Sequence, residues 1–395
     1  MRRFHVGVVG ALLLCLAAST AFAQATPEAK PPDKPKTFLD EVTLFAYIEN
    51  SFVGNLRGTG RGDFNELRIF DLDGGYTFNM AEFSIKKDPS DDHPFGFGLV
   101  VAGGEDARKI HALGIFRGND DVYPFRDTTP IDLVQAYAAY KIPLGSGLTI
   151  KAGKFVTLLG YEVIESPSNL NFSRSFLFGF AIPFTHVGAL LSYSFGDWLT
   201  VTAGPVVGWD VAKDNNSAMS VMGQVSLTPT KDLAAALTWI TGPEQTGNNR
   251  NNRTVLDWTL NYTGIKNLTL GANVDYGWEH KEPSLVAAGL SDTTATWWGI
   301  AGYAAYDWTD KLRTAFRGEY FRDSDSARTA AQAPGLKTSL WETTATLQYN
   351  VWKGLFGRLE YRHDQANEKV FKVASTGPTS KAQDTLSLSL YYLFF

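Results

Sequence analysis

The chain has 395 residues, a formal net charge of −5 and a single cysteine, Cys15. Mild acidity gives no electrostatic footprint for nucleic acid, and one thiol close to the N-terminus excludes a disulfide framework or a cysteine-held metal site in the remainder. Aromatics make up 13% of residues and there are 37 glycines, a mixture that suits a sheet facing lipid better than an ordinary soluble core.

The first residues read as a secretory signal. Arg2 and Arg3 precede an uncharged apolar run, Val6 to Ala18, and Ala21-Phe22-Ala23 is a small-x-small cleavage site. A signal peptide over 1–23 and a mature chain starting at Gln24 are therefore expected. Leu14 before Cys15 does not suit lipoprotein processing, which favours a small residue there. Residues 24–40, rich in Pro, Lys and acidic side chains, are expected to form a periplasmic leader without a fixed fold. From 41 to 395 the texture is uniform and implies one domain.

Within that domain the dominant signal is alternation. Leu268, Leu270, Ala272, Val274, Tyr276 and Trp278 alternate with Thr269, Gly271, Asn273, Asp275 and Gly277. A strand sends successive side chains to opposite faces, so this segment has one apolar and one polar face. Glu342–Val351 and Leu355–Arg362 repeat the pattern. The segments run to about ten residues, the length of a tilted membrane strand. Short turns, such as Asp88–His93, Pro143–Ser146 and Trp352–Lys353, alternate with long polar loops, such as Gly54–Gly75, Gly103–Pro130, Leu158–Ile182 and Asp323–Lys337. That asymmetry is the one expected between periplasmic turns and outer loops. The expected fold is all-β, a transmembrane antiparallel up-and-down β-barrel of about sixteen strands. The uncharged stretch Ser175–Phe195 is read as the apolar end of a long loop followed by a strand near Phe184–Phe195, not as a membrane helix, because of Pro183, Gly179, Gly188 and His186.

The chain ends on Tyr391-Tyr392-Leu393-Phe394-Phe395. An apolar edge strand left open in water would template aggregation, so closure against the first strand is expected, and a terminal aromatic is the feature that barrel-assembly machinery would engage. The apolar set Leu386, Leu388, Leu390, Tyr392 and Phe394 is out of phase with Phe395, which leaves the facing of the end open.

Charge fixes which face is inside. Leu312, Thr314, Phe316, Gly318 and Tyr320 toward lipid send Arg313, Arg317 and Glu319 into the lumen, and Arg358, Glu360 and Arg362 follow two strands later. The reverse phase would place arginines in hydrocarbon at roughly 2–4 kcal/mol each. These six are the expected pore-lining residues, either as a selectivity surface or as ion pairs bracing the wall. In Leu158–Ile182, the segments Val163-Ile164 and Phe176-Leu177-Phe178 are too apolar to lie free in water. This loop is expected to fold into the lumen as a constriction carrying Glu162, Glu165 and Arg174. Opposed to an arginine wall across water, its carboxylates would leave a weak preference for anions.

Catalytic and metal chemistry find little footing. No phosphate-binding Gly-rich loop and no Gly-x-Ser-x-Gly elbow occur. The mature histidines are scattered, so no metal, cofactor or catalytic residue is expected. His186 with Ser192 or Ser194 is the one pairing that a lipid-hydrolysing barrel would need. Arg61-Gly62-Asp63 in the first long loop is the one adhesion-like motif.

Gly153-Lys154-Phe155, Gly160-Tyr161-Glu162, Asn171-Phe172-Ser173-Arg174-Ser175 and Pro183-Phe184-Thr185-His186-Val187-Gly188 resemble the OmpL-like β-barrel porin family. Ala189 and Leu190 stand where that pattern often has an arginine. The resemblance implies an outer-membrane porin and no particular solute. Together these observations imply passive diffusion of small hydrophilic solutes or ions across a cell outer membrane, with lipid around the barrel and room for a homo-oligomer. The alternatives are a structural or adhesive barrel working through its outer loops, or a barrel lipid hydrolase.

Overall fold

The structure, a computed structural model, describes residues 37–57, 65–71, 74–115, 129–372 and 378–395. The expected signal peptide, its cleavage site at Gln24 and the Arg61-Gly62-Asp63 motif lie outside these residues. Among the described residues sixteen antiparallel strands close into one barrel. They are β1 (Thr43–Asn55), β2 (Gly75–Lys87), β3 (Phe95–Gly103), β4 (Ile131–Ile142), β5 (Leu148–Val156), β6 (Thr185–Ser194), β7 (Leu199–Val206), β8 (Ser220–Thr230), β9 (Leu233–Pro243), β10 (Asn252–Ile265), β11 (Leu268–Glu279), β12 (Ala295–Asp307), β13 (Leu312–Asp323), β14 (Thr338–Trp352), β15 (Leu355–Ala366) and a closing strand, Ala382–Leu393. The closing strand pairs with β1 from Tyr47↔Leu393 to Asn55↔Thr385, so no edge is left open.

The alternation in the sequence sets the wall. Along β15, Arg358, Glu360, Arg362 and Asp364 are buried inside, while Leu359 and Tyr361 are exposed outside. The closing strand does the same, with Ser387 and Ser389 inside and Leu386, Leu388 and Leu390 outside. That settles its facing; Phe395 lies beyond the strand end. Trp298 on β12 and Trp308, one residue beyond its end, face outward ten residues apart. At about 3.3 Å per residue and a tilt near 40°, they mark the two rims of an apolar band about 25 Å tall.

The leader differs from expectation over its last residues. Phe38–Glu41 forms one turn of 3-10 helix. Phe38 stacks on Phe97, with ring centroids 6.4 Å apart, under the Lys87 amine. Glu41 lies 2.9 Å from Lys87 Nζ. That amine and Ser90 hold the Glu41 carboxyl well below the usual carboxylate range, at about 2. Apolar and charged anchors on the short-turn rim order residues that composition alone assigns to a solvated tail.

The main apolar core sits inside the barrel, toward the long-loop end. Phe176, Leu177, Phe178, Phe180 and Ile182 pack there with Ile69, Phe70, Trp297, Phe321 and Leu340. A single polar-lined barrel wall has no such core of its own. It is supplied by the loop between β5 and β6.

Candidate functional site: the loop between β5 and β6 on the lumen wall

The residues between β5 and β6 enter the lumen from the end of β5, whose pairing with β6 is continuous to Val156. Gly153 has φ +138°, and a Cβ there would lie 2.3 Å from Ala136 O. This backbone is open only to glycine. It turns the next side chain, Lys154, toward Asp132 (3.5 Å) and the Val134 carbonyl (3.1 Å). The far end of the loop is fixed as firmly. Asp210 Oδ1 accepts the N–H groups of Phe184 and Thr185 at 2.7 and 2.9 Å. His186 Nδ1 donates to Gly208 O at 2.8 Å, which leaves Nε2 to accept from the Thr157 hydroxyl at 3.2 Å.

Between these ends the loop runs against the inner wall of β13, β14 and β15. Glu360 accepts the N–H groups of Phe172 (2.7 Å) and Ser173 (2.9 Å). Glu319 accepts those of Phe176 (2.7 Å) and Leu177 (2.6 Å), at the start of a single π-helical turn, Leu177–Ala181. Arg317 donates to Glu162 (2.7 Å) and to the Ser173 carbonyl (2.6 Å), while its Nε pairs with Glu342. Arg358 reaches the carbonyls of Ser166 (3.1 Å) and Asn169 (3.2 Å). Arg362 pairs with Asp364 (2.7 Å) and donates to the Arg174 carbonyl. Asn171 donates to Thr346 Oγ1 at 2.7 Å. Wall carboxylates thus take loop N–H groups and wall arginines take loop carbonyls. Each partner satisfies a group that would otherwise be stranded away from water.

The expected lumen residues therefore divide. Arg317, Glu319, Arg358, Glu360 and Arg362 do face inward, but all five are buried beneath the loop. Arg313 stands apart near the short-turn rim, in a two-pronged pair with Asp307 at 2.6 and 2.9 Å, about one-third exposed. Glu162 does not oppose the arginines across water. It touches Arg317 and accepts the Ser175 N–H at 2.7 Å. The pair is shielded from water and supplemented by hydrogen bonds to the Ser173 carbonyl and the Ser175 N–H, which together hold the loop on the wall. Glu165 is half-buried and makes no ion pair among the described residues. Arg174 is buried, with its guanidinium over the Phe70 and Phe178 rings and its donors on the carbonyls of Val163, Ile164 and Phe172.

Several anchors escaped the reading of charges. Tyr161 lies flat against Tyr303, with centroids 4.4 Å apart; its N–H donates to Asn273 Oδ1 (3.1 Å) and its hydroxyl to Asn261 Oδ1 (3.0 Å). Burial pushes its phenol up to about 12. Trp297 donates from its indole to Ala181 O at 3.1 Å. Above it Arg328, from the loop after β13, donates to Phe180 O at 2.8 Å and lies over both Trp209 and Trp297. Burial, reinforced by Arg253, lowers the Arg328 guanidinium to about 10. Asn273 stood on the polar face of its strand, so alternation located it but not its partner; Asn261 had not been singled out.

Gly271 explains why Tyr161 fits. An added Cβ would lie 2.3 Å from the Tyr161 ring, which its stacking and hydrogen bond hold in place. Gly271→Ala should displace the ring at a cost of about 1–3 kcal/mol, the usual penalty of overpacking. The folded, fast-migrating gel band of the variant should convert on heating at a lower temperature than that of the parent. An unchanged conversion temperature would mean that the Tyr161 contact carries no stability.

The hydrolase pairing is not assembled. His186 is fully buried with both nitrogens engaged. Ser192 and Ser194 bond across to Thr202 (2.8 Å) and Thr200 (3.0 Å) instead. No cluster of three or more metal-ligating side chains occurs among the described residues.

Comparison with known proteins matches residues 43–394 to the family described as "Putative beta-barrel porin-2, OmpL-like". No curated protein sequence matches. Among solved structures, the outer-membrane channel DcaP of Acinetobacter baumannii is 11% identical, with 89% of this chain and 97% of that one covered and a TM-score of 0.58. The anion-selective porin from Comamonas acidovorans is 8% identical, with 89% and 99% covered and a TM-score of 0.57. OmpT of Vibrio cholerae in its trimer form is 12% identical, with 89% and 99% covered and a TM-score of 0.55. At these identities the likeness is one of fold.

Proposed function

We propose, for a chain that belongs to the beta-barrel porin-2, OmpL-like family, that its constriction loop sets the size of solute passing through an outer-membrane pore. The protein is a porin, a closed sixteen-stranded channel of the outer membrane. The observation that carries the finer reading is the loop between β5 and β6, hydrogen-bonded along the lumen wall by Arg317, Glu319, Arg358, Glu360 and Arg362. In this reading these five residues are bolts, and pore width, more than an arginine face, governs passage. Passive diffusion needs no binding energy, so small uncharged solutes should pass as readily as their size allows. Liposomes carrying the refolded protein should swell quickly in small sugars and slowly in oligosaccharides. Swelling that does not depend on sugar size would remove the constriction from the mechanism, and no swelling at all would remove the pore.

The apolar closing strand supports recognition by barrel-assembly machinery, and the trimer form of OmpT supports self-association of this chain. The N-terminal pattern supports export with cleavage before Gln24. Mass spectrometry of protein recovered from outer membranes should give a chain beginning at Gln24; a retained N-terminus or an acylated Cys15 would contradict it.

A further inference from the structure

Among the described residues, the outer face of β13 carries a cation that the protein leaves uncompensated. Arg322 faces outward near the long-loop end of β13, beside Trp298 of β12 and Ser339 of β14. Two residues below it on the same face, Tyr320 pairs across to Trp341 and lies 5.2 Å from the Trp298 ring. Trp298 and Trp341 are each more than one-third exposed. This is the outer aromatic rim of the apolar band, the level of lipid headgroups. Arg322 makes no ion pair or hydrogen bond among the described residues, and its Nε is buried without a partner. Asp325, three residues on, is turned instead to the Thr296 N–H at 3.0 Å. Lys337, exposed at the entry to β14, adds a second charge beyond Ser339.

A second cluster on the same rim shows the contrast. There Asp384 receives Arg57, the Tyr361 hydroxyl (2.7 Å) and His363 Nδ1 (2.7 Å), so the Arg57 charge is compensated within the protein. An arginine set on the lipid face without such a partner is costly toward the midplane and tolerable only near the interface. There its complement is an anion supplied by the membrane.

We propose that Arg322, with Lys337 and the Trp298–Tyr320–Trp341 rim, binds the phosphate of an outer-leaflet lipid headgroup. The planar guanidinium offers two parallel donors to phosphate oxygens. The aromatic rings take the first segments of the acyl chains and hold the lipid at that depth. The site lies outside the barrel and does not depend on what passes through it.

The test is native mass spectrometry of the refolded mature chain in detergent, titrated with diphosphorylated lipid A and, in parallel, with its dephosphorylated form. The parent should retain lipid A and lose the dephosphorylated lipid. Arg322→Gln should bind lipid A about tenfold more weakly, the equivalent of losing one charge-assisted contact. Arg322→Lys, which keeps the charge without the fork, should fall between them, and a heat-shifted gel band checks that each variant has folded. Equal retention of both lipids would overturn the proposal, as would Arg322→Gln binding like the parent. Displacement of lipid A by an equal concentration of inorganic phosphate would assign the site to free phosphate and overturn the lipid.

Discussion

Arg317→Ala is expected to raise single-channel conductance and to lower the temperature at which the barrel unfolds. Arg317 is fully buried between Glu162 on the loop and Glu342 on β14, and also binds the Ser173 carbonyl. Its loss leaves the buried Glu162 without a cation and Glu342 with only the more distant Arg362, at 3.7 Å. Removing one partner of a buried ion pair costs about 3–5 kcal/mol, more than the loop's remaining contacts at Ser173 can restore. The loop should therefore leave this part of the wall, and conductance should rise by roughly a factor of two as the narrowest section widens. Arg317→Lys keeps the charge but not the planar fork that serves both carboxylates and the carbonyl, so an intermediate rise is expected. Planar-bilayer recordings of the three proteins decide the matter. Unchanged conductance in Arg317→Ala would show that the loop keeps its place without this residue.

Glu319→Ala combined with Glu360→Ala should release the same loop by a different route. The two carboxylates accept four backbone N–H groups, those of Phe172, Ser173, Phe176 and Leu177. A buried N–H left without an acceptor costs about 1–3 kcal/mol, so the four together amount to roughly 4 kcal/mol or more. The aromatic run Phe176–Phe180 would then spend part of its time away from Trp297, Phe321 and Leu340. Chymotrypsin should cut the folded double variant between Asn171 and Phe184 and leave the parent intact. The pair Glu319→Gln and Glu360→Gln keeps one acceptor oxygen at each site, so slower cutting is expected there. Resistance of the alanine variant equal to that of the parent would mean that apolar packing alone holds the loop.

The alternation of Leu268–Trp278 and Leu355–Arg362, and the cost of arginine in lipid, were enough to orient the strands and to place Arg317, Glu319, Arg358, Glu360 and Arg362 inside. The polar face of Glu342–Val351 already held Glu342, Thr344 and Thr346, which complete the wall. The apolar patches of Leu158–Ile182 marked this loop as one that must find cover. What alternation could not supply was distance. A period of two says that Glu162 and Arg317 share an interior, but not whether water or a hydrogen bond separates them. That depends on the positive-φ backbone of Gly153 in β5, on Asp210 gripping the N–H groups of Phe184 and Thr185, and on Gly271 leaving room for Tyr161. These are contacts between residues far apart in the chain, with no local pattern to announce them. The quoted segments that resemble the porin family contribute many of these contacts, from Gly153 and Lys154 through Tyr161, Glu162, Asn171 and Ser173 to Phe184, Thr185 and His186. Their chemistry is spent on fixing one loop.

The position of that loop is open to direct measurement. The mature chain has no cysteine of its own if cleavage follows Ala23, so Asn171→Cys and Thr346→Cys introduce a unique thiol pair where Asn171 Nδ2 now lies 2.7 Å from Thr346 Oγ1. Treatment of the folded double variant with dibromobimane, which fluoresces on bridging two close thiols, should give a fluorescent product and leave single-channel conductance as it was before treatment. Two thiols that stay unbridged in the folded barrel, or a bridge that collapses the conductance, would place the loop away from the wall in the conducting state and contradict a fixed constriction.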